Sequence, residues 1–142
     1  MERITSFTID HDVLVPGFYI SRKDGDITTY DLRTRRPNKG DYMSNADMHS
    51  VEHMFATYIR NSEIADSVIY FGPMGCQTGF YLLVRDVEPK KVFQITKEVL
   101  SQIIAHEGEV FGASAAECGH YENLDLEIAK EECRTCCFGK TD

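Results

Sequence analysis

Apolar and polar residues alternate with a period of two near the start of the chain, first over 5–10 and then through Phe18-Tyr19-Ile20. This period predicts strands with one buried face. Asp24-Gly25 predicts a hairpin turn, because glycine tolerates positive φ, and the return strand then reaches Arg33. Later apolar segments predict three more strands, the last of them brief, at 68–71, 80–84 and 110–111.

Helical spacing of apolar residues predicts three helices. Ser44 with Asp47 three residues later predicts a capping box for the first helix, and Asn45 or Asp47 are alternative caps. The second helix is predicted to open at Glu88-Pro89, since proline is favourable at a first helical position. Asn123 is the predicted N-cap of the third helix. The apolar stripe of the first helix is Met48, Val51, Phe55, Tyr58 and Ile59.

Hairpin-connected strands with interspersed helices predict an α+β fold, in which helices pack against a mostly antiparallel sheet. The 142 residues are 42% hydrophobic, which is enough for one core, so residues 1–142 are expected to form a single domain. The formal net charge is −8, and the one dense basic segment is Arg33-Thr34-Arg35-Arg36. Nucleic acid is therefore not an expected partner.

The chain has no apolar run near the ~20 residues of a membrane span, and its first five residues lack the apolar stretch of a signal peptide. A cytosolic protein without a membrane partner is therefore expected. Five cysteines are an odd number. In a reducing compartment they are expected to act as ligands, nucleophiles or buried thiols rather than as disulfides.

Candidate chemistry begins with His49-Ser50-Val51-Glu52-His53 on the first predicted helix. Residues four apart on a helix project within about 40° of each other, one turn apart. Two imidazoles at that spacing can hold one tetrahedral metal. Glu52 points to nearly the same side, where a carboxylate can transfer protons beside a metal-activated oxygen.

Two cysteines offer further chemistry. Cys118, beside Gly119 in a loop of small residues, is the candidate third metal ligand, and it is equally readable as a small buried thiol. Cys76 lies in a loop with glycines at 72, 75 and 79, between two predicted strands. Backbone N–H groups converging there, together with a nearby cation, would stabilise a thiolate and make a base or nucleophile. Its alternative is a thiol packed at a strand end.

Two other functions are compatible with these residues. His-x-x-Glu-His also occurs in inverted zinc proteases, whose third ligand is a downstream glutamate. A small metallopeptidase would draw on Glu127, Glu131 or Glu132 for that role. A structural metal module would instead use a thiolate set made of Cys118, Cys133, Cys136 and Cys137.

The chain resembles the LuxS family, the S-ribosylhomocysteine lyases, over nearly its whole length. The resemblance rests on two specific motifs in the same order, the histidine motif at 49–53 and Pro73-Met74-Gly75-Cys76-Gln77-Thr78-Gly79, followed by Cys118-Gly119. The chain departs from the family pattern at Ile69-Tyr70-Phe71-Gly72, where members read Ile-Asp-Ile-Ser. Further matching segments are Ser6-Phe7, Asp10-His11, 31–33, 37–38 and 125–130.

The resemblance implies roles for eight residues. The metal ligands would be His49, His53 and Cys118, the acid/base residues Glu52 and Cys76, and the substrate-binding residues Ser6, His11 and Arg33. It also implies a homodimer with active sites at the subunit interface. One divalent metal per subunit is expected, Fe²⁺ in the cell, with Zn²⁺ or Co²⁺ able to take its place.

The implied reaction cleaves the thioether of S-ribosylhomocysteine to homocysteine and 4,5-dihydroxy-2,3-pentanedione, the autoinducer-2 precursor. The carbonyl of this sugar starts at C1 and the sulfur is on C5. β-Elimination requires the carbonyl at C3, so two proton shifts must come first. Glu52 and Cys76 would carry those protons, and a Lewis-acidic metal would stabilise the enediolates.

Overall fold

The computed structural model describes Met1 and residues 16–135, and its main element is a four-stranded antiparallel sheet. The strand order is β1-β2-β4-β3, so β3 is an edge strand beside β4. The strands are β1 (Gly17–Asp24), β2 (Ile27–Arg33), β3 (Val68–Pro73) and β4 (Gly79–Arg85). The predicted strands at 18–20, at 27–33, at 68–71 and at 80–84 are thus confirmed, whereas the one at 5–10 lies outside the described residues.

Three helices cover one face of this sheet, as expected for an α+β fold. They are α1 (Asn45–Ile59), α2 (Pro89–Ala105) and α3 (Leu126–Thr135), with short 3₁₀ turns at Ala65–Ser67 and Tyr121–Asn123. Alternate residues of the central strands, such as Tyr30, Leu32 and Leu82, are fully buried against the helices. Rings of Phe55, Phe71 and Phe80 stack in sequence, with centroids 4.2 and 5.1 Å apart, and join α1 to the sheet.

The N-terminus of α1 has the predicted capping box. The Ser44 hydroxyl accepts a hydrogen bond from the Asp47 backbone N–H at 3.0 Å, and the Asp47 carboxylate accepts one from the Ser44 N–H at 2.9 Å. These bonds satisfy two donors that a helix start otherwise leaves free. The cap fixes where α1 begins, and therefore where its histidine motif lies.

Two local predictions are wrong. Asn123 does not cap the third helix, because the Asp125 carboxylate accepts from the backbone N–H groups of Glu127 and Ile128 at 2.9 and 3.2 Å. Residues 110–111 form no strand and belong to an irregular loop between α2 and α3. Val110 is still buried, so its apolar character reflects packing against the core rather than strand pairing.

The other sheet face carries a buried ion pair. Asp31 and Arg33 alternate with the core-facing Tyr30 and Leu32, so they project away from the helices. Both are only 1% exposed, and Arg33 donates to both carboxylate oxygens of Asp31, at 3.1 and 2.6 Å. In the part of the chain that the structure describes, no helix has the length and apolar character to cross a bilayer.

Candidate metal centre and active site

Three predicted ligands converge at the flank of α1. The ligand atoms of His49, His53 and Cys118 all lie within 4.8 Å of one another, and we call these three residues the metal group. The two rings meet edge to face with centroids 4.6 Å apart, as residues four apart on a helix allow. Cys118 comes from the loop between α2 and α3, and its Sγ lies 3.2 Å from His49 Nε2. All three side chains are partly buried.

Both imidazoles are oriented through their Nδ1 atoms. His53 Nδ1 donates to the Phe111 carbonyl oxygen at 2.8 Å, and His49 Nδ1 donates to Asn123 Oδ1. Asn123 Nδ2 in turn donates to Asn45 Oδ1, which fixes the direction of that amide. Because the hydrogen sits on Nδ1, the lone pair of each ring is on Nε2, the atom that would bind an ion. This outer layer of hydrogen bonds is typical of histidine ligands to metals.

The thiol of the metal group is also held by the backbone. The Cys118 N–H donates to the Ser114 carbonyl at 3.0 Å, and the His120 N–H donates to Cys118 Sγ at 3.4 Å. Two neutral imidazoles and one thiolate suit a borderline-soft divalent ion such as Zn²⁺ or Fe²⁺ and leave a fourth position for another ligand. The donor set therefore fits the expected metal.

Glu52 lies beside the metal group at the edge of an open cavity. The cavity has a volume of about 300 Å³. Its size is at the lower end of small-molecule sites. The carboxylate is partly exposed and can exchange protons with whatever occupies the cavity. The lining residues are Glu52, His53, Ala56, Thr57, Phe71, Phe111 and Gly112.

Cys76 lies elsewhere, in the β3–β4 hairpin, together with Arg33, Asp31 and Thr78; we call these four residues the thiol group. Cys76 is exposed, and its Sγ lies 3.0 Å from Thr78 Oγ1 and 3.9 Å from Arg33 Nη1. Arg33 Nη1 also donates to Thr78 Oγ1 at 2.8 Å. Burial raises the pKa of the adjacent Tyr81 hydroxyl, and the Asp31 charge adds to that effect.

The structure thus places the predicted site residues in two groups. Arg33 belongs to the thiol group rather than the metal group. Its donors are directed at Asp31, Thr78 and the Cys76 sulfur. Within residues 16–135, no hydrogen bond or ion pair connects the thiol group to the metal group. Ser6 and His11, the other predicted substrate-binding residues, lie outside the described residues.

Three of the ligands named for the two alternative functions, Glu131, Glu132 and Cys133, have other surroundings in the structure. Both carboxylate oxygens of Glu132 accept hydrogen bonds from Arg35, and this bonding raises the pKa of the guanidinium. Glu131 pairs with Arg134 on the surface of α3. Cys133 is buried in the hydrophobic core, and the metal group includes Cys118 without it. Cys136 and Cys137 lie outside the described residues.

Sequence reasoning missed the residues that orient the ligands. Asn123 is 74 residues from His49, and Phe111 is 58 residues from His53. An asparagine before a helix is an ordinary capping signal. The sequence therefore offered no reason to assign Asn123 a role in orienting a histidine. The Phe111 contact uses a backbone carbonyl, which every residue has, so no side-chain pattern could have indicated it.

Two oriented imidazoles and a thiol that converge next to a carboxylate define a candidate metal-dependent enzyme. A model of the family described as S-ribosylhomocysteinase (LuxS) matches residues 4–141. The chain belongs to this family.

Relatives support the same assignment. The S-ribosylhomocysteine lyase of Finegoldia magna is 47% identical over 135 residues, covering 92% of this chain and 86% of that protein. Those of Clostridium beijerinckii and Desulfotalea psychrophila are each 46% identical, over 136 and 138 residues. They cover 92% and 93% of this chain, and 86% and 87% of those proteins.

Proposed function

We propose that this protein is an S-ribosylhomocysteine lyase, which cleaves the thioether of its substrate to homocysteine and 4,5-dihydroxy-2,3-pentanedione. The observation that carries the proposal is the metal group lying beside Glu52 in a chain of the S-ribosylhomocysteinase family. The test is to incubate the purified metal-loaded protein with S-ribosylhomocysteine and to measure free thiol. Absence of thiol release from a fully loaded protein would contradict the assignment.

The metal ligands in this proposal are His49, His53 and Cys118, one divalent ion per subunit. Such an ion supplies Lewis acidity at substrate oxygens when it is bound. Both histidines keep their Nε2 lone pairs available because their Nδ1 hydrogens are used on Asn123 and Phe111. Fe²⁺ is the proposed ion in the cell, and Zn²⁺ or Co²⁺ would fit the same donors. Metal analysis of protein purified without oxygen would identify the ion.

Glu52 and Cys76 are the proposed proton carriers. Each of the two carbonyl shifts removes a proton from one carbon and returns a proton at the neighbouring carbon. The elimination then removes a proton from C4 as the C5–sulfur bond breaks, and the departing sulfur takes up a proton. Glu52 borders the cavity beside His53, where it can take and return a proton. The exposed Cys76 sulfur has the Arg33 guanidinium 3.9 Å away, and a positive charge there suits a thiol that alternates with its thiolate.

We also propose a homodimer in the cytosol, with each active site assembled at the subunit interface. Within residues 16–135 of one chain no hydrogen bond or ion pair joins the thiol group to the metal group, and this supports the arrangement, because the proposed reaction needs both near one substrate. Large apolar side chains on the sheet are also exposed, with Ile20 at 47%, Ile69 at 40% and Tyr70 at 47%. Ser6, His11 and Arg33 are the proposed substrate-binding residues.

A further inference from the structure

The first part of the loop that follows α2, residues 106–112, contacts the His53 ligand through the Phe111 backbone carbonyl. His53 Nδ1 donates to the Phe111 oxygen at 2.8 Å, and this bond sets both the tautomer and the ring plane of His53. Phe111 lies in an irregular loop, so the position of its carbonyl depends on the contacts that hold the loop. The residues that hold 106–112 therefore control how His53 presents its Nε2.

Three rings fasten this loop to α1. Phe111 packs edge to face against Tyr58 and His106, with ring centroids 5.3 and 4.8 Å away. Tyr58 and His106 also meet edge to face, at 5.8 Å. Tyr58 lies on α1 five residues after His53. The loop therefore contacts α1 at two points, at His53 through the Phe111 carbonyl and at Tyr58 through the rings. Aromatic pairs of this kind add about 0.5–1.5 kcal/mol beyond area burial.

Two hydrogen bonds of His106 link this cluster to the backbone of the loop. His106 Nε2 lies 2.9 Å from the Glu109 carbonyl, which can only accept, so Nε2 carries the hydrogen. His106 Nδ1 then has a lone pair and accepts from the Tyr58 hydroxyl at 2.7 Å. The His106 imidazole thus ties the Tyr58 side chain of α1 to the backbone of the loop.

Gly112, next to the carbonyl, leaves room for the ligand itself. Its φ of +69° is a conformation that side chains rarely adopt. A Cβ at this position would lie 3.0 Å from His53 Nδ1 and 3.3 Å from its Cε1. A side chain there would require the imidazole to shift by a few tenths of an ångström, which would alter its bond to the Phe111 carbonyl.

We propose that Tyr58, His106 and Gly112 are positioning residues for the His53 ligand. Tyr58 and His106 hold the loop so that the Phe111 carbonyl meets Nδ1, and Gly112 lets the ring approach it. The inference rests on the proposed metal site. These residues act on metal affinity and geometry, and none of them belongs to the metal group.

The test uses the full chain loaded with Co²⁺, whose affinity is measured by chelator competition and whose geometry is read from its d–d absorption. Gly112→Ala should weaken Co²⁺ binding by about tenfold, the effect expected of a lost outer hydrogen bond to a ligand. It should also change the d–d envelope. Gly25→Ala is the matched control, because Gly25 has a φ of +62° and a Cβ there has nothing within 4 Å. It has the same backbone strain and should keep the wild-type affinity and spectrum.

A second pair of variants tests the ring cluster without a change in backbone. Tyr58→Phe keeps the ring and removes one hydrogen bond, so Co²⁺ binding should weaken by about threefold. In a His106→Ala background the same change should have no further effect, because its partner is gone. The exposed Tyr42 provides the control, Tyr42→Phe, which should leave affinity unchanged.

The outcomes separate this inference from the proposed function. Wild-type affinity and spectrum in Gly112→Ala, or in Tyr58→Phe should the glycine variant not fold, would overturn the positioning role. A wild-type chain that binds no stoichiometric Co²⁺ would instead refute the metal site on which the proposal rests.

Discussion

Cys76 and Cys118 are both thiols, yet their surroundings differ. Cys118 Sγ lies among ligand atoms, 3.2 Å from His49 Nε2. Cys76 is exposed and has a guanidinium and a hydroxyl as neighbours. A permanent ligand must stay deprotonated, whereas a proton carrier must gain and lose its proton during turnover. The same functional group is therefore expected to do two different jobs in this chain.

Alanine at each cysteine should produce opposite defects. Cys118→Ala should lose or loosen the metal, because one of three protein ligands is removed. Cys76→Ala should keep a full metal equivalent and still bind substrate within about tenfold of wild type, roughly 1.4 kcal/mol, while releasing almost no homocysteine. Metal analysis, calorimetric binding and thiol release on the same samples decide between them. Metal loss in Cys76→Ala would mean that the two assignments are exchanged.

The buried Asp31–Arg33 ion pair should contribute far more to stability than the exposed Arg22–Asp24 pair. Asp31→Asn keeps the shape but leaves a buried guanidinium without its counter-ion, so unfolding free energy should fall by about 3–5 kcal/mol. Asp24→Asn is the matched control, since Arg22 and Asp24 have the same spacing on a strand but are 54% and 50% exposed. It should cost less than about 1 kcal/mol. Equal losses in urea titrations of the two variants would contradict this account.

At the residue scale, the sequence predicted the site residues whose relative positions follow from the helical repeat. His49, Glu52 and His53 could be placed together because their spacing follows the 3.6-residue turn of α1. Residue spacing left two interpretations of Cys118, a metal ligand or a small buried thiol. The fold brings its sulfur to the two histidines. Asn123 could not be assigned to His49, because nothing local distinguishes an amide that caps a helix from one that orients an imidazole.

Elements whose signals are local were predicted well. The capping box of α1 uses residues three apart and formed as expected. The cap of α3 was misplaced by two residues, because Asn123 is engaged by His49 and Asn45 and leaves Asp125 to accept from the helix N–H groups. Both residue types are good caps, so tertiary contacts made the choice.

Removing the α1 cap should destabilise the fold without removing the metal. Ser44→Ala loses the hydrogen bond to the Asp47 N–H and should lower the unfolding free energy by about 1 kcal/mol. Ser101→Ala, on the exposed side of α2, should lose nothing, because alanine is the better helix former. Chemical denaturation with metal content measured in parallel checks both. A Ser44→Ala protein as stable as wild type would show that the cap bonds contribute little here.

The edge strand β3 carries a coupled pair that the sequence showed as a departure from the family pattern. The Tyr70 ring lies across Gly72 two residues later, and a Cβ at Gly72 would overlap the Tyr70 hydroxyl. Residues two apart share a sheet face, so a large ring at one requires a small residue at the other. Tyr70 and Gly72 are thus explained together as packing on this strand.

At the scale of the whole molecule, the sheet separates the two halves of the candidate chemistry. Arg33 projects from the face opposite the helices, and the metal group lies on the flank of α1. Alternation of apolar residues predicted the antiparallel sheet and its helical layer. It could not predict the order β1-β2-β4-β3, which depends on long-range pairing of β2 with β4. That pairing is what brings Arg33 to Cys76.

A homodimer with shared sites predicts that two inactive variants can restore each other. Glu52 borders the same cavity as His53, so the metal half of a site comes from one chain, and His11 is proposed to come from the other. Mixing His11→Ala with Glu52→Ala subunits yields heterodimers in which one of the two sites has neither substitution. Random exchange should therefore recover about a quarter of wild-type thiol release. Mixing Glu52→Ala with Cys118→Ala is the control, because both residues belong to the same half and no unmutated site can form. No recovery in the first mixture after demonstrated subunit exchange would place each site within a single chain.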